Sequence, residues 1–283
     1  MLHKLVAHPV VSFLLDLIAV CRRVGISRSA AALSYFLILS LFPLLLCLSG
    51  LVGRFHLDLR ELLLSLDYLL PPDVLTLLTG YVEDAAQASS APLWAGALTL
   101  LISASAGLRA LLLTMDQIFR TEARHPAGGL LASLLLSGLL LLTIYLSIAA
   151  VCTGGWFFRF LLAHVPIRVQ PLPAPIRLWR WLRWLLLFSL FLLLVLGIYC
   201  LGTPRSSVSY RAVLTASLCT ALAVAVGSAL FSLFLSFSSR YDLVYGSLAS
   251  LILLLVWLYA CGTLLLLGAA ALQVWVQRNR SLP

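Results

Sequence analysis

Charged residues are scarce in this chain. Only 10% of its 283 residues are Asp, Glu, Lys or Arg, and 62% are hydrophobic. Soluble globular domains carry about 25% charged and about 45–50% apolar residues. The composition therefore excludes a soluble protein and predicts a polytopic membrane protein. A membrane helix needs roughly 20 apolar residues, and the long runs without charge are Ser29–Gly53, Leu130–Phe158, Trp184–Pro204, Ala212–Ser239 and Leu243–Gln277.

Motifs for catalysis or metal binding are also lacking. The five histidines are dispersed without an HExxH pattern, and the six cysteines include no CxxC pair. The sequence has no Gly-rich phosphate loop of the Walker type. Cysteines inside apolar runs behave as small hydrophobic residues. We therefore predict no catalytic residue, no metal site, no cofactor and no enzymatic activity.

Six segments are predicted to cross the membrane as helices. Runs such as Leu134–Leu136 lack the alternation of apolar and polar residues that a barrel strand requires. The fold class is therefore predicted to be all-α, with residues 1–283 forming one bundle of six transmembrane helices. The predicted spans are Leu33–Gly53, Leu93–Met115, Leu130–Cys152, Trp184–Thr203, Ala212–Leu235 and Gly246–Leu272.

Three segments outside the spans have a recognisable character. Residues 1–28 are predicted to form a cytoplasmic, interfacial helical segment. Residues 54–92 are predicted to form an outer loop with amphipathic helices, and Ala88–Pro92 a flexible hinge into the second span. Residues 153–183 are predicted to form an outer loop rich in Arg and Trp.

Loop charge predicts the orientation. With both termini in the cytoplasm, ten basic residues lie inside and eight outside, and six of the ten acidic residues fall in the loop at 54–92. This distribution fits the positive-inside rule through the early helices. The net charge of +9 is scattered among loops rather than concentrated with aromatic residues, which argues against a nucleic-acid partner.

Tryptophan marks the predicted outer interface. The segment Ile176–Trp184 places Arg177, Arg180 and Arg183 among three tryptophans. Such a segment is typical of an interfacial anchor. Its arginines either snorkel to the membrane surface or contact lipid head groups specifically.

Polar residues within the spans suggest further roles. Arg109 lies inside the second span and is expected to face the bundle interior, with Asp116 seven residues later as its expected partner. Arg109 either forms a structural ion pair or snorkels to the inner interface, or it belongs to a polar pathway. Pro43 interrupts the first span and predicts a bent helix. Small residues recur at Ser103 and Gly107, and hydroxyl residues follow a stripe in the fifth span that favours close helix packing over a hydrophilic conduit: Thr220, Ser228, Ser232 and Ser236.

Three stretches together resemble the YihY/BrkB family of bacterial inner-membrane proteins, once mislabelled as ribonuclease BN. They are AAALSYFLILSLFPLL (Ala30–Leu45), SASAGLRALLLTMDQIFRTEAR (Ser103–Arg124) and YGSLASLILLLVWLYACGTLLLLGAA (Tyr245–Ala270). The residues retained from the family pattern include Tyr35, Ser40, Pro43, Arg109 and Tyr245. The chain departs from that pattern at Asp116, at Leu214–Thr215 and at Ala270.

The resemblance implies six spans in the bacterial inner membrane and links to envelope integrity, serum resistance, virulence and lipid movement. Our first hypothesis is a transporter-like protein that assists movement of lipids or other amphipathic envelope molecules. Its candidate polar pathway comprises Arg109, Asp116, Tyr35, Ser40, Pro43 and Tyr245. The second hypothesis is a non-catalytic scaffold that binds envelope-assembly proteins through residues 54–92. A ribonuclease is disfavoured because the inner loops are short and poor in acidic residues. The oligomeric state stays open.

Overall fold

The computed structural model describes residues 9–41, 43–44, 90–119, 126–164, 173–204, 208–237 and 249–281. Every secondary-structure element in these ranges is a helix, so the predicted all-α class is confirmed. In chain order the helices are α1 (Pro9–Val24), α2 (Ile26–Leu39), α3 (Ser90–Phe119), α4 (Pro126–His164), α5 (Pro173–Gly202), α6 (Tyr210–Phe237) and α7 (Ala249–Ser281).

Five of these helices are long and apolar enough to cross a membrane, and they coincide with the second to sixth predicted spans. The first predicted span is represented by α2, whose 14 residues extend about 21 Å, less than the about 30 Å of a hydrocarbon core. Residues 45–53, the rest of that span, lie outside the described part of the chain. The five long spans are Leu98–Phe119, Gly128–Ser147, Trp181–Gly202, Tyr210–Leu235 and Leu251–Asn279.

The loop predicted at residues 153–183 is shorter than expected. Residues 153–164 and 173–183 are helical, because α4 continues to His164 and α5 begins at Pro173. The apolar run before His164 contains no proline, and the helix ends just ahead of Pro166, as is usual before a proline. The expected hinge at Ala88–Pro92 is also wrong in part, since α3 begins at Ser90 and a proline is tolerated in a first helical turn. The predicted amphipathic helices of residues 54–89 lie outside the described residues.

Helix α2 is interrupted close to Pro43. The helix ends at Leu39, Ser40 forms its C-cap, and helical backbone resumes at Leu41. Proline lacks a backbone N–H, and its ring clashes with the carbonyl four residues earlier. For Pro43 that residue is Leu39, so the break falls where the proline requires it.

The described helices α2 to α7 form a ring. Each helix packs against the next one along the chain, and α7 closes the ring by packing against α2. The interior is filled by large apolar side chains that include Leu111, Met115, Leu136, Tyr199 and Leu266. Helix α1 packs outside this ring, against α7 and the end of α3.

The link between α1 and α2 depends on one glycine. Gly25 has a φ of 71° and caps the N-terminus of α2 in the left-handed region. An L-residue with a Cβ pays a steric cost there. This single turn lets α1 leave the axis of α2 and lie across the C-terminal end of α7.

Candidate functional site

The residues predicted to form a polar pathway occupy separate environments. Tyr35 is 58% exposed, and Arg109 is also exposed. Ser40, Pro43 and Asp116 are buried. Tyr245 lies outside the described residues. Among the described members of the set, exposed and buried side chains are therefore mixed, and the polar pathway stays a prediction.

The ion pair expected between Arg109 and Asp116 stays a prediction. Among the described residues the structure records no hydrogen bond or salt bridge between the two side chains. Seven residues correspond to about 10.5 Å along a helix axis, whereas residues three or four apart are the neighbours on a helix surface. The two side chains share a direction in projection but lie at different depths.

Most buried hydroxyl groups are bonded within their own helix. Ser34 Oγ donates to Ala31 O at 2.9 Å, and Ser137 Oγ donates to Leu134 O at 2.8 Å. The same pattern holds for buried Ser40, Thr114, Thr143 and Ser217. Their hydrogen atoms are already used, so in the described part of the bundle these groups do not form a hydrophilic conduit.

A smaller set of polar side chains joins neighbouring helices of the ring. Tyr199 Oη of α5 donates to Leu265 O of α7 at 2.7 Å and lies 2.9 Å from Thr220 Oγ1 of α6. Ser105 Oγ and Ser133 Oγ are 3.1 Å apart between α3 and α4. Each of these bonds fastens adjacent helices, which is the packing role that polar residues take in membrane bundles.

The small-residue positions also serve packing. A Cβ on Gly107 would lie 3.0 Å from Phe36 Cβ, so α2 and α3 are in close contact there. In the stripe on α6, Thr220 is buried and Ser228 accepts a hydrogen bond from Trp257 Nε1 at 3.2 Å. Ser232 is exposed, and the side chain of Ser236 lies outside the described part. The described stripe thus favours packing for its buried members.

Arg109 has the most unusual position of the candidate residues. It is exposed on the face of α3 that points away from the ring interior, which we call the outer side of α3. It lies midway along the span Leu98–Phe119. Ten residues separate it from Phe119, about 15 Å or half a hydrocarbon core. Side chains in a helix incline toward its N-terminus, so the guanidinium leans away from the end of α3 that contacts α1. Snorkelling to that end is therefore unfavourable.

The arginines of the predicted head-group set are only partly described. Arg177 and Arg180 lie on the first turns of α5, where side chains are outside the described part. Arg183 is half-buried, and its Nε is buried without a hydrogen-bond partner among the described residues. Trp181 and Trp184 beside it are 70% and 57% exposed. The exposed indoles fit an interfacial anchor.

Sequence reasoning missed the contact between the two ends of the chain. Arg278 of α7 donates to Asp16 of α1 at 2.6 Å and to Ser12 at 2.8 Å, and its guanidinium lies over the Phe13 ring. Asp16 is the only acidic residue before Asp58, which was the available signal. The contact places α1 and the C-terminal end of α7 at the same end of the bundle.

Comparison with known proteins identifies relatives along most of the chain. A family model described as "Virulence factor BrkB" matches residues 17–282. A ribonuclease-like protein, YfkH, of Bacillus subtilis is 26% identical over 92% of this chain and 92% of its own length. The family match covers the ring and the second half of α1, and the matches confirm the resemblance seen in the sequence.

Two further relatives carry the name UPF0761 membrane protein. The one from Verminephrobacter eiseniae is 29% identical over 71% of this chain, and the one from Azoarcus is 27% identical over 90%. This chain spans 46% and 62% of their lengths. No solved structure matches the chain significantly. Both names describe membrane proteins, and together with the five long apolar helices they support a multi-pass membrane protein.

Proposed function

We propose that this chain, which belongs to the virulence factor BrkB family, assists the movement of lipids or other amphipathic envelope molecules across or out of the bacterial inner membrane. One observation carries the proposal: Arg109 is exposed on the outer side of a spanning helix, midway along that span. We further propose that both termini are cytoplasmic. The contact of α1 with the end of α7 and the basic residues near both support this orientation.

The position of Arg109 is energetically costly without a polar partner. An arginine at the centre of a membrane helix costs about 2.5–3.5 kcal/mol on insertion scales. A lipid phosphate is a partner of opposite charge that guanidinium binds in a bidentate manner. A passing head group would therefore find its most favourable contact at mid-depth, where the barrier to its transfer is otherwise highest.

The closed interior supports a surface route over a central pore. Most of the described hydroxyl groups inside the ring are bonded to their own helices, the others join neighbouring helices, and the core is filled by apolar side chains. An amphipathic molecule moving along the outer side of α3 keeps its acyl chains in lipid while its head group meets Arg109. We propose this route for phospholipids.

The test measures transbilayer movement of a fluorescent phospholipid in liposomes that contain the purified protein. We expect wild-type protein to move the lipid and Arg109→Ala to slow the movement at least about tenfold, the equivalent of about 1.4 kcal/mol in the barrier. Arg109→Lys should retain part of the rate because it keeps the charge. Ile102→Ala is the matched control, since Ile102 is 60% exposed on the same side of α3.

The outcomes test the role of Arg109 and the proposed lipid movement independently. A wild-type rate in Arg109→Ala would refute the role of Arg109. An absence of movement by folded, correctly inserted wild-type protein would refute lipid movement altogether. In that case the scaffold role through residues 54–92 would become the working hypothesis, and cross-linking of envelope proteins to that segment would be the next experiment.

A further inference from the structure

A groove opens between α1 and the C-terminal end of α7. Its volume is about 540 Å³. Asp16, Arg23, Gln277 and Arg278 supply polar groups to its walls, and Val20 and Val274 contribute apolar surface. The groove lies at the end of the bundle where α1 contacts α7, separated along α3 from the position of Arg109.

The groove carries an excess of positive charge. Arg23 and Arg278 contribute two guanidinium groups, whereas Asp16 contributes one carboxylate. Arg278 donates to Asp16 Oδ2 through Nη2 at 2.6 Å and through Nε at 3.2 Å. Arg23 is exposed, and among the described residues its hydrogen bond is a long one of 3.5 Å to Ile118 O. A guanidinium has five N–H donors, so Arg23 keeps most of its capacity for an anionic ligand.

Helix α1 brings this groove to the membrane surface. Phe13 and Leu17 pack against the core, while Leu14, Leu15 and Ile18 form a second apolar face that is about half exposed. An amphipathic helix of this kind lies in the interfacial plane with its exposed apolar face in the acyl-chain boundary. Ala19, which lines the groove, follows Leu15 by one helical turn. The groove therefore adjoins the surface at the depth of lipid head groups.

We propose that this groove binds the phosphate head group of an anionic phospholipid, held by Arg23 and Arg278 while the acyl chains pass over Leu15 and Ala19. The excess positive charge selects an anionic head group, and the adjoining apolar face of α1 selects a lipid over a free anion. The site does not depend on lipid movement. An anionic lipid bound there would fix α1 to the membrane surface next to the end of α7.

The experiment uses full-length protein in nanodiscs of equal parts phosphatidylglycerol and phosphatidylcholine, and it counts retained lipids by native mass spectrometry. We expect wild-type protein to retain phosphatidylglycerol preferentially. Arg23→Gln should reduce this retention at least about fivefold, because it removes charge-assisted hydrogen bonds to the phosphate inside the groove. Asp16→Asn should increase it, because the mutation removes the carboxylate that competes for Arg278.

Arg22→Gln is the matched control. Arg22 is an exposed neighbour of Arg23 that does not line the groove, so its substitution should leave retention unchanged. An equal loss in Arg22→Gln and Arg23→Gln would mean diffuse attraction to the surface and would overturn the site. Displacement of phosphatidylglycerol by millimolar inorganic phosphate would show that the groove binds a free anion, and would overturn the proposal that its ligand is a lipid. Gel filtration of each variant shows that it is folded.

Discussion

Gly268 of α7 lies where α5, α6 and α7 meet. A Cβ added there would collide with Thr220 Oγ1 and Tyr199 Oη and would lie 3.1 Å from Thr220 Cβ. Tyr199 is 1% exposed and its hydroxyl is bonded to Leu265 O. None of these atoms can move away without breaking that hydrogen bond or shifting α6. We therefore predict that Gly268→Ala destabilises the protein.

The magnitude follows from two opposing effects. Replacing a helical glycine with alanine gains about 1 kcal/mol of helix propensity. Overpacking of a core costs about 1–3 kcal/mol, and more when the obstructing atoms cannot rotate away. Because the obstruction involves a buried, bonded tyrosine and the Cβ of Thr220, we expect the upper part of that range. The net loss of unfolding free energy should be about 2 kcal/mol.

The assay is unfolding of the purified protein in detergent, followed by tryptophan fluorescence over a denaturant titration. Gly138→Ala is the matched control, because a Cβ on Gly138 of α4 would meet nothing within 4 Å and should stabilise the protein by about 1 kcal/mol. Thr220→Ala should recover part of the loss when combined with Gly268→Ala, since neighbouring sites are not additive. Equal stability of Gly268→Ala and Gly138→Ala would refute the reasoning.

Three further predictions use the same measurement. Gly202→Ala should cost less than Gly268→Ala, because its Cβ would meet the sulfur and terminal methyl of Met115, which are flexible; an equal or larger loss would contradict this. Gly25→Ala should lose about 1–2 kcal/mol from backbone strain alone, and Gly25→Asn less, so identical losses would argue against the left-handed turn. Asp16→Ala should lower stability by at most about 1 kcal/mol, because its ion pair with Arg278 is partly exposed, and a larger loss would show that the contact is a major stabilising interaction.

The placement of the five long helices could be predicted because one physical requirement dominates them. A bilayer demands long apolar segments without charge, and such runs are visible directly, as in Ala212–Ser239. Helix ends were less predictable. A bilayer does not prevent a helix from extending beyond the membrane, and α4 continues to His164.

Which residues of a helix face lipid and which face the core could not be predicted, for a different reason. In a soluble helix the polar side marks the surface, but here the lipid-facing and core-facing sides are both apolar. Leu111 is buried and Leu113 is 48% exposed on the same helix, and no sequence pattern separates them. The same ambiguity assigned Arg109 to the interior. The contact between Asp16 and Arg278 joins residues 262 positions apart, a distance over which spacing gives no guidance.

The exposure of Arg109 changes what kind of transport its charge could assist. A buried arginine with a carboxylate partner would be neutralised inside the protein, and its role would be to hold two helices together. An outward arginine at mid-span has no such compensation from Asp116, so its partner must come from the surroundings of α3. A head group that approaches along this surface gains the interaction only while it is between the two leaflets, and loses it on leaving. In the proposed route the charge would therefore lower the barrier more than it stabilises either end state, and such a difference accelerates a transfer.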